Sequence, residues 1–218
     1  MDEHRLAVTR SARYYTLGRP SPALREVWFV CHGYGQLAGR FLRHFDAVAD
    51  NARLIVAPEG LSRFYLGSGT HRDAKVGASW MTREDRLTEI DDYTRYLDAL
   101  YAEVFRQIER PAVRVTALGF SQGAATASRW AALGHSRVDH IVLWGGELPP
   151  DLDLGAVRDR LADVTFSLVY GEADEFITAK LAAATAARLA QHGIPHRVRP
   201  FAGGHELTAA ALRELASA

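Results

Sequence analysis

The chain has 218 residues, of which 48% are hydrophobic and 24% charged, a composition typical of a globular protein with enough apolar side chains for a substantial core. Its 26 Lys and Arg residues balance 26 Asp and Glu residues, so no excess charge favours nucleic acid or a charged membrane as a partner. The single cysteine, Cys31, excludes internal disulfides and a cysteine-based metal site. Without a secretory signal or an apolar run of about 20 residues, we expect a cytoplasmic protein with no stable membrane insertion.

Strands and helices alternate along most of the chain. Two short β-like stretches, at 5–9 and 13–17, predict an antiparallel hairpin at the edge of a sheet. From residue 26 onward, continuous apolar runs predict buried strands, and apolar residues at helical spacing predict helices. In chain order these elements are strand 27–31, helix 39–50, strand 54–58, helix 87–109, strand 113–118, helix 122–133, strand 140–144, strand 164–170, helix 177–192, strand 196–201 and helix 206–217. This order is typical of a mostly parallel sheet with helices on both faces, and we expect residues 1–218 to form one α/β domain.

Two connections between these elements carry predictions of their own. Residues 61–86 are rich in glycine and show no periodicity, which predicts a long loop. Its apolar side chains could line a substrate pocket or pack beneath the loop, and they are Phe64, Tyr65, Leu66 and Trp80. The 17 residues 147–163 contain two prolines and many charged residues. They predict one short solvated helix and leave no room for a lid domain.

The sequence Gly119-Phe120-Ser121-Gln122-Gly123 places a serine between a predicted strand and a predicted helix. This G-x-S-x-G pattern is typical of a sharp strand-to-helix turn that exposes a nucleophilic serine above the sheet. The glycines are needed because side chains two residues before or after the serine would collide with neighbouring backbone. We therefore predict Ser121 as the nucleophile.

A serine hydroxyl needs a base, which is normally a histidine oriented by a carboxylate. After a G-x-S-x-G turn, the acid and then the histidine follow later strands. The strand at 164–170 is followed by Glu172, Asp174 and Glu175, any of which could reach an imidazole, and we predict Asp174. The strand at 196–201 is followed by His205, which we predict as the base among nine histidines.

A tetrahedral intermediate also needs two hydrogen-bond donors for its oxyanion. The first predicted donor is the backbone N–H of Gln122, directly after the serine and at a helix N-terminus. The second is the backbone N–H of Tyr34, since Gly33 and Gly35 on either side let the turn after strand 27–31 approach the site. Cys31 lies within a buried apolar strand and is predicted to be an inert core residue.

These segments together resemble the phospholipase/carboxylesterase family of α/β-hydrolases, which includes the acyl-protein thioesterases. The resemblance rests on His32-Gly33-Tyr34-Gly35, on the Ser121 motif, on Gly171 with Asp174, and on Gly203-Gly204-His205, and it runs from about residue 26 to about residue 212. It implies an α/β-hydrolase fold, a triad of Ser121, Asp174 and His205, and oxyanion donors at Tyr34 and Gln122. Trp80 is similar to a tryptophan at the rim of the family's active site. Family members cleave esters or thioesters without a metal or an organic cofactor, so we expect neither here.

The sequence therefore predicts a serine carboxylesterase that acts on small to medium carboxylic esters through an acyl-enzyme on Ser121. One alternative is a thioesterase or lysophospholipase that acts on long acyl chains. Another is a hydrolase-fold binding protein that has lost turnover, which the presence of Ser121, Asp174 and His205 argues against. The expected partner is a small-molecule ester or thioester.

Overall fold

A computed structural model describes residues 1–67, 72–110 and 113–217 of the chain. Its main sheet has seven strands in the order β1-β3-β2-β6-β7-β8-β9, and β1 runs antiparallel to β3 while the other neighbours are parallel. The strands are β1 (Tyr14–Leu17), β2 (Glu26–Cys31), β3 (Arg53–Pro58), β4 (Ser62–Leu66), β5 (Lys75–Ser79), β6 (Arg114–Phe120), β7 (His140–Trp144), β8 (Thr165–Gly171) and β9 (His196–Phe201). Strands β4 and β5 form a separate antiparallel hairpin. The predicted parallel sheet is confirmed.

Helices cover both faces of this sheet, as predicted. They are α1 (Ala38–Phe41), which continues into a 3-10 helix (Leu42–Val48), α2 (Arg86–Val104), α3 (Gln122–Leu133), α4 (Arg158–Leu161), α5 (Ala179–Gln191) and α6 (Ala209–Ala216). Alternate strand residues enter two cores, since Phe29 packs under α2 and α3 while Trp28 and Val30 pack under α1 and α6. Only the short helix α4 lies within 147–163, so no lid domain interrupts the sheet there.

The N-terminal hairpin prediction is wrong for residues 5–9. These residues are exposed and form no strand. Arg5 instead contacts Asp85 through a side-chain hydrogen bond of 2.9 Å. The second predicted stretch does become β1, but it pairs with β3. The strand partner was thus supplied by a distant segment, which local alternation does not specify.

The prediction of a long loop at 61–86 is also wrong in large part. Strands β4 and β5 pair from Ser62 opposite Ser79 to Leu66 opposite Lys75. The glycine at 77 is needed for a close approach, because a Cβ there would lie 2.4 Å from the carbonyl oxygen of Gly35. Residues 68–71 lie outside the described residues. This hairpin places residues 62–66 beside the turn that follows β2.

Three predicted helices begin or end elsewhere for identifiable reasons. Helix α2 ends at Val104 rather than near 109, and Arg110 folds back so that its guanidinium donates to Asp139 at 2.7 Å. Helices α5 and α6 begin two to three residues later than predicted because Thr178 and Thr208 cap them. Each threonine side chain accepts a hydrogen bond from a backbone N–H in the first turn.

A histidine at the amino edge of the sheet is expected to control stability in acid. His140 is buried at the start of β7, and its Nε2 lies 2.9 Å from the Ser167 hydroxyl. Burial, together with Arg114, Arg199 and Arg197, lowers its pKa to about 3. In the unfolded chain a histidine binds a proton near pH 6.5. Between these two values the unfolded state holds one more proton, so the free energy of unfolding falls as the pH falls, by about 2 kcal/mol at pH 5.

The variant His140→Gln should remove this contribution. Urea unfolding at pH 7 and pH 5 should then show a smaller loss of stability than in the wild type, and the slope between pH 4 and 6 should drop by about one proton. Ala183, an exposed residue of α5 without a titratable group, offers a control, since Ala183→Gln should keep the wild-type slope. An unchanged slope in His140→Gln would contradict this role of the buried imidazole.

Within the described ranges, no helix is both long and apolar enough to cross a membrane.

Candidate active site

The backbone makes a strained turn at Ser121, between β6 and α3. Ser121 has φ 53° and ψ −118°, which non-glycine residues rarely adopt. A Cβ at Gly119 would lie 2.0 Å from the carbonyl oxygen of Gly123, and a Cβ at Gly123 would lie 2.2 Å from that of Cys31. Both positions therefore require glycine. The turn has the steric construction that the sequence motif predicts.

Neighbouring backbone fixes this turn in place. The Ser121 N–H donates to the carbonyl of Trp144 at 2.9 Å, and the Ser121 carbonyl accepts from Ala124 at 3.0 Å. Gly146, after β7, packs so closely that a Cβ would lie 2.5 Å from the Ser121 carbonyl oxygen. The strain at Ser121, of the order of 1–3 kcal/mol, is thus maintained by contacts on both sides of the turn.

An aspartate and a histidine meet at the same edge of the sheet. Asp174 follows β8 and His205 follows β9, and the Asp174 Oδ2 lies 2.9 Å from the His205 Nδ1. Asp174 is buried, whereas Glu172 and Glu175 are exposed. Of the three acids that crowd this loop, the structure therefore brings Asp174 to the imidazole.

The surroundings of Asp174 favour its ionised form. Its Oδ1 accepts the backbone N–H groups of Phe176 at 2.8 Å and Ile177 at 2.9 Å. Burial acts to raise the pKa of Asp174, but the hydrogen bonds from Ile177, His205 and Phe176 outweigh burial and hold the pKa below its ordinary value. Because an ionised carboxylate only accepts hydrogen bonds, the Nδ1 of His205 carries a proton, and in the neutral form of the ring the lone pair is on Nε2.

Aromatic rings hold the imidazole. The Phe120 ring lies 4.9 Å and the Phe176 ring 4.8 Å from the His205 ring, measured between centroids. A Cβ at Gly145 would lie 3.2 Å from the imidazole. Phe120 directly precedes Ser121 in the chain, so the imidazole packs against the residue before the serine. The structure thus collects Ser121, Asp174 and His205 at the carboxyl ends of β6, β8 and β9.

The turn at residues 33–36 packs directly against Ser121. A Cβ at Gly33 would lie 3.3 Å from the Ser121 Cβ. The turn closes through a hydrogen bond from the Gln36 N–H to the Gly33 carbonyl at 3.2 Å, and Gly35 has a φ of 75°, which favours glycine. Tyr34 lies within this turn. The other predicted donor, Gln122, is the first residue of α3, where the backbone N–H has no acceptor within the helix.

The Gln122 side chain clamps α3 to the segment that follows β5. Its Nε2 donates to the Met81 carbonyl at 2.7 Å and to the Ser79 hydroxyl at 3.1 Å. Its Oε1 accepts the Trp80 N–H at 3.1 Å. This clamp was not predicted from the sequence. It ties the hairpin to the residue beside Ser121.

The predicted pocket residues occupy three different environments. Trp80 is 2% exposed and donates through Nε1 to the His32 carbonyl at 2.8 Å, so it packs in the core beneath the site. Tyr65 is 49% exposed. Leu66 is half-buried, with its Cδ2 3.2 Å from the point where a Gly35 Cβ would lie. Leu66 therefore contacts the turn beside Ser121. The fourth residue, Phe64, also contacts this turn, since its ring centroid lies 5.0 Å from that of Tyr34.

Sequence reasoning missed a buried carboxylate at the same edge of the sheet. Glu59 accepts hydrogen bonds from Arg13 at 2.6 Å, from Arg63 at 2.7 Å and from the Ala38 N–H at 3.2 Å. Burial acts to raise the pKa of Glu59, but the two arginines outweigh burial and lower it. The feature of the sequence that could have indicated this site is a charged residue directly after the buried strand β3. Glu59 holds together the chain before β1, the start of α1 and the β4–β5 hairpin.

His32 has a structural environment at the end of β2. Its Nε2 accepts the Gly60 N–H at 3.0 Å, and its Nδ1 lies 2.8 Å from the Gly33 carbonyl. Nδ1 therefore carries the proton, and burial lowers the pKa of the ring. Both nitrogens are engaged by backbone groups. Among the described histidines, His205 is the one whose ring contacts a carboxylate.

A cavity of about 200 Å³ opens beside the first two turns of α3. Apolar and polar residues line it in equal number: Met81, Ala125, Pro149, Pro150, Gln122, Thr126, Arg129 and Glu147. Gln122, which lines this cavity, directly follows Ser121 in the chain. Among the residues that the structure describes, no group of three or more His, Cys, Asp or Glu side chains is arranged to hold a metal ion.

Three solved structures share the architecture closely. Acyl-protein thioesterase 2 of Zea mays has a TM-score of 0.72 at 16% identity, covering 95% of this chain and 97% of its own. A carboxylesterase of Mesorhizobium loti has a TM-score of 0.70 at 24% identity, with 94% of each chain covered. The Bacillus cereus carboxylesterase has a TM-score of 0.69 at 15% identity, covering 94% of this chain and 92% of its own. At these identities the likeness shows a shared fold.

No curated protein sequence matches the chain significantly. The sequence model of the family described as Phospholipase/Carboxylesterase matches residues 20–217. That match extends the resemblance read from the motifs by a few residues at each end. Because it spans nearly the whole chain, the protein belongs to the phospholipase/carboxylesterase family and has an α/β-hydrolase fold.

Proposed function

We propose that the protein is a serine carboxylesterase that hydrolyses small to medium carboxylic esters. The observation that carries the proposal is the hydrogen bond of 2.9 Å between His205 Nδ1 and Asp174 Oδ2, at the sheet edge where Ser121 stands in its strained turn. An activated serine needs a histidine in the correct tautomer, and a buried carboxylate provides that tautomer.

In the proposed mechanism, the Ser121 Oγ attacks the ester carbonyl carbon while the Nε2 of His205 accepts the hydroxyl proton. The carbonyl oxygen becomes an oxyanion held by the backbone N–H groups of Tyr34 and Gln122. His205 then gives its proton to the alcohol oxygen as the C–O bond breaks, and the alcohol leaves an acyl-enzyme on Ser121. A water molecule, deprotonated by His205, then attacks the carbonyl carbon of the acyl-enzyme. His205 returns the proton to the Ser121 oxygen as the acid is released. This mechanism uses the two side chains, the two backbone N–H groups and water.

The cavity beside α3 is the proposed site for the acyl group. It begins at Gln122, next to the acylated serine, and its apolar wall includes Ala125. Its volume of about 200 Å³ is below the 300–1,000 Å³ that is typical of pockets for drug-sized ligands. A cavity of this size favours short acyl chains over palmitate.

A panel of esters from acetate to palmitate, with one thioester, tests this proposal. We expect butyrate-length esters to be hydrolysed at least as well as those of twelve carbons or more. The variant Ala125→Leu should reduce kcat/KM for hexanoate about tenfold relative to acetate, because the larger side chain fills the cavity. The exposed Ala183 on α5 offers a matched control, and Ala183→Leu should leave the chain-length profile unchanged.

Other outcomes of the same panel favour the alternatives. A strong preference for palmitoyl substrates, or for the thioester over the matching ester, would favour the long-chain thioesterase or lysophospholipase. Absence of turnover on every substrate would favour a binding protein. An Ala125→Leu profile identical to that of the wild type would place the acyl group elsewhere.

A further inference from the structure

A large aromatic side chain stands exposed at the imidazole. Phe176 is 66% exposed, although its ring centroid lies only 4.8 Å from that of His205, with an angle of 61° between the rings. Exposed single apolar residues are common on protein surfaces and by themselves need no explanation. What distinguishes Phe176 is its position against the residue that would move the proton.

The backbone presents this ring from a fixed position. The Phe176 N–H donates to the Asp174 Oδ1 at 2.8 Å, and the following residue, Ile177, donates to the same oxygen and is buried. The loop is therefore anchored on both sides of the Phe176 Cα by the carboxylate that also binds His205. An aromatic side chain on an anchored backbone offers contact area at a low cost in conformational entropy.

The position of the ring indicates which part of a substrate it would contact. This step rests on the proposed function. The Nδ1 of His205 is engaged by Asp174, so Nε2 must come within hydrogen-bond distance of the alcohol oxygen in order to protonate it. Groups attached to that oxygen then lie beside the imidazole. Phe120 and Phe176 both pack against the imidazole, but Phe120 is buried and Phe176 is exposed.

We propose that Phe176 forms the apolar wall of a leaving-group subsite and selects esters of aromatic alcohols that carry no negative charge. Aromatic rings attract one another in offset or edge-to-face arrangements beyond the effect of area burial alone. The exposed carboxylates of Glu172, Glu175 and Glu206 belong to the two loops that carry Phe176 and His205. These carboxylates disfavour a negatively charged group on the alcohol.

Two esters that share an acyl group isolate the effect on the alcohol. Phenyl butyrate and ethyl butyrate form the same acyl-enzyme, so a difference between them arises before or during release of the alcohol. The variant Phe176→Ala should lower kcat/KM for phenyl butyrate about three- to tenfold and change that for ethyl butyrate less than twofold. Phe176→Tyr, which keeps the ring, should retain the preference. Leu133→Ala removes an exposed apolar side chain at the far end of α3 and should change neither value.

Transfer of the acyl group from the acyl-enzyme to an added alcohol, the reverse of alcohol release, provides a second measurement. An alcohol that attacks the acyl-enzyme occupies the leaving-group position, by microscopic reversibility. With phenyl butyrate as donor, benzyl alcohol should compete with water better than ethanol does in the wild type. This advantage should fall about three- to tenfold in Phe176→Ala. Deacylation by water alone should keep its wild-type rate.

Each outcome decides between distinct roles. If Phe176→Ala lowered kcat/KM equally for both esters, Phe176 would only shield the Asp174–His205 hydrogen bond. This result would overturn the leaving-group subsite but not the proposed esterase activity. If Phe176→Ala left kcat/KM unchanged for both esters, the subsite would likewise be overturned and the proposed esterase activity would stand. A wild-type protein that hydrolyses neither ester and does not react with a fluorophosphonate would overturn the proposed function and the subsite together.

Discussion

Replacing Ser121 with alanine is expected to lower kcat by about 10⁶-fold and to abolish labelling by a fluorophosphonate. The reagent reacts with a serine only when a base and oxyanion donors are arranged around it, and alanine supplies no oxygen to form the covalent adduct. Alanine also avoids new contacts at the strained turn, where φ is 53°. Peptide mapping of the labelled wild type should place one adduct on Ser121, and ester hydrolysis by both proteins measures the loss.

The structure contains a matched control for this experiment. Ser167 also lies beside a histidine, with its hydroxyl 2.9 Å from the His140 Nε2, but the pair is buried at the amino edge of the sheet. Ser167→Ala should keep its activity and its labelling, at a cost in stability of about 1–3 kcal/mol from the unpaired imidazole. If Ser121→Ala were labelled at the wild-type rate, or if Ser167→Ala lost its label while folded, Ser121 would not be the nucleophile.

The placement of Ser121 could be predicted because its steric requirements fall on two glycines that flank it within five residues. Gly119 and Gly123 are needed to avoid backbone atoms at 2.0 and 2.2 Å, and such close contacts leave a mark in the sequence as an obligatory glycine on each side of the serine. The order of strands then places the residues after β8 and β9 at the same edge. A motif and an alternation of elements were enough for this part of the site.

The structure of residues 61–86, beside the candidate site, could not be predicted from the sequence. Gly77 is needed where it meets Gly35, and Gly60 where a Cβ would lie 2.5 Å from the Ser79 carbonyl oxygen. Both contacts join segments far apart in the chain. From the sequence alone these glycines favour a loop, whereas in the fold they allow a hairpin to lie against the turn beside Ser121. The Gln122 clamp and the Glu59 ion pairs depend on the same tertiary approach.

The assignment of Asp174 as the acid could be predicted only in part from the sequence. Glu172, Asp174 and Glu175 fall within one turn, so distance along the chain does not separate them. The Asp174 carboxylate, however, accepts the backbone N–H groups two and three residues later, an arrangement that short aspartate side chains favour in turns. The longer glutamate side chains are less suited to it. The local chemistry of the loop thus supports the choice that topology alone left open.

Replacing Asp174 with asparagine should therefore lower kcat by roughly 10⁴-fold while the fold persists. The asparagine oxygen can still accept the N–H groups of Phe176 and Ile177, which bond to Oδ1 in the wild type. Its NH₂ group then faces His205 and donates to Nδ1, which moves the imidazole proton to Nε2 and removes the lone pair that must accept the proton of Ser121.

The exposed neighbours provide matched controls on the same loop, since Glu172→Gln and Glu175→Gln remove one negative charge each without touching the imidazole. Each should change kcat less than about twofold, because exposed charges are well screened by solvent. Steady-state kinetics on a butyrate ester, with circular dichroism to confirm the fold, separate these outcomes. If Glu172→Gln lost activity while Asp174→Asn remained active, Glu172 would be the acid. The hydrogen bond of 2.9 Å between Asp174 and His205 would then be structural and would not assist proton transfer.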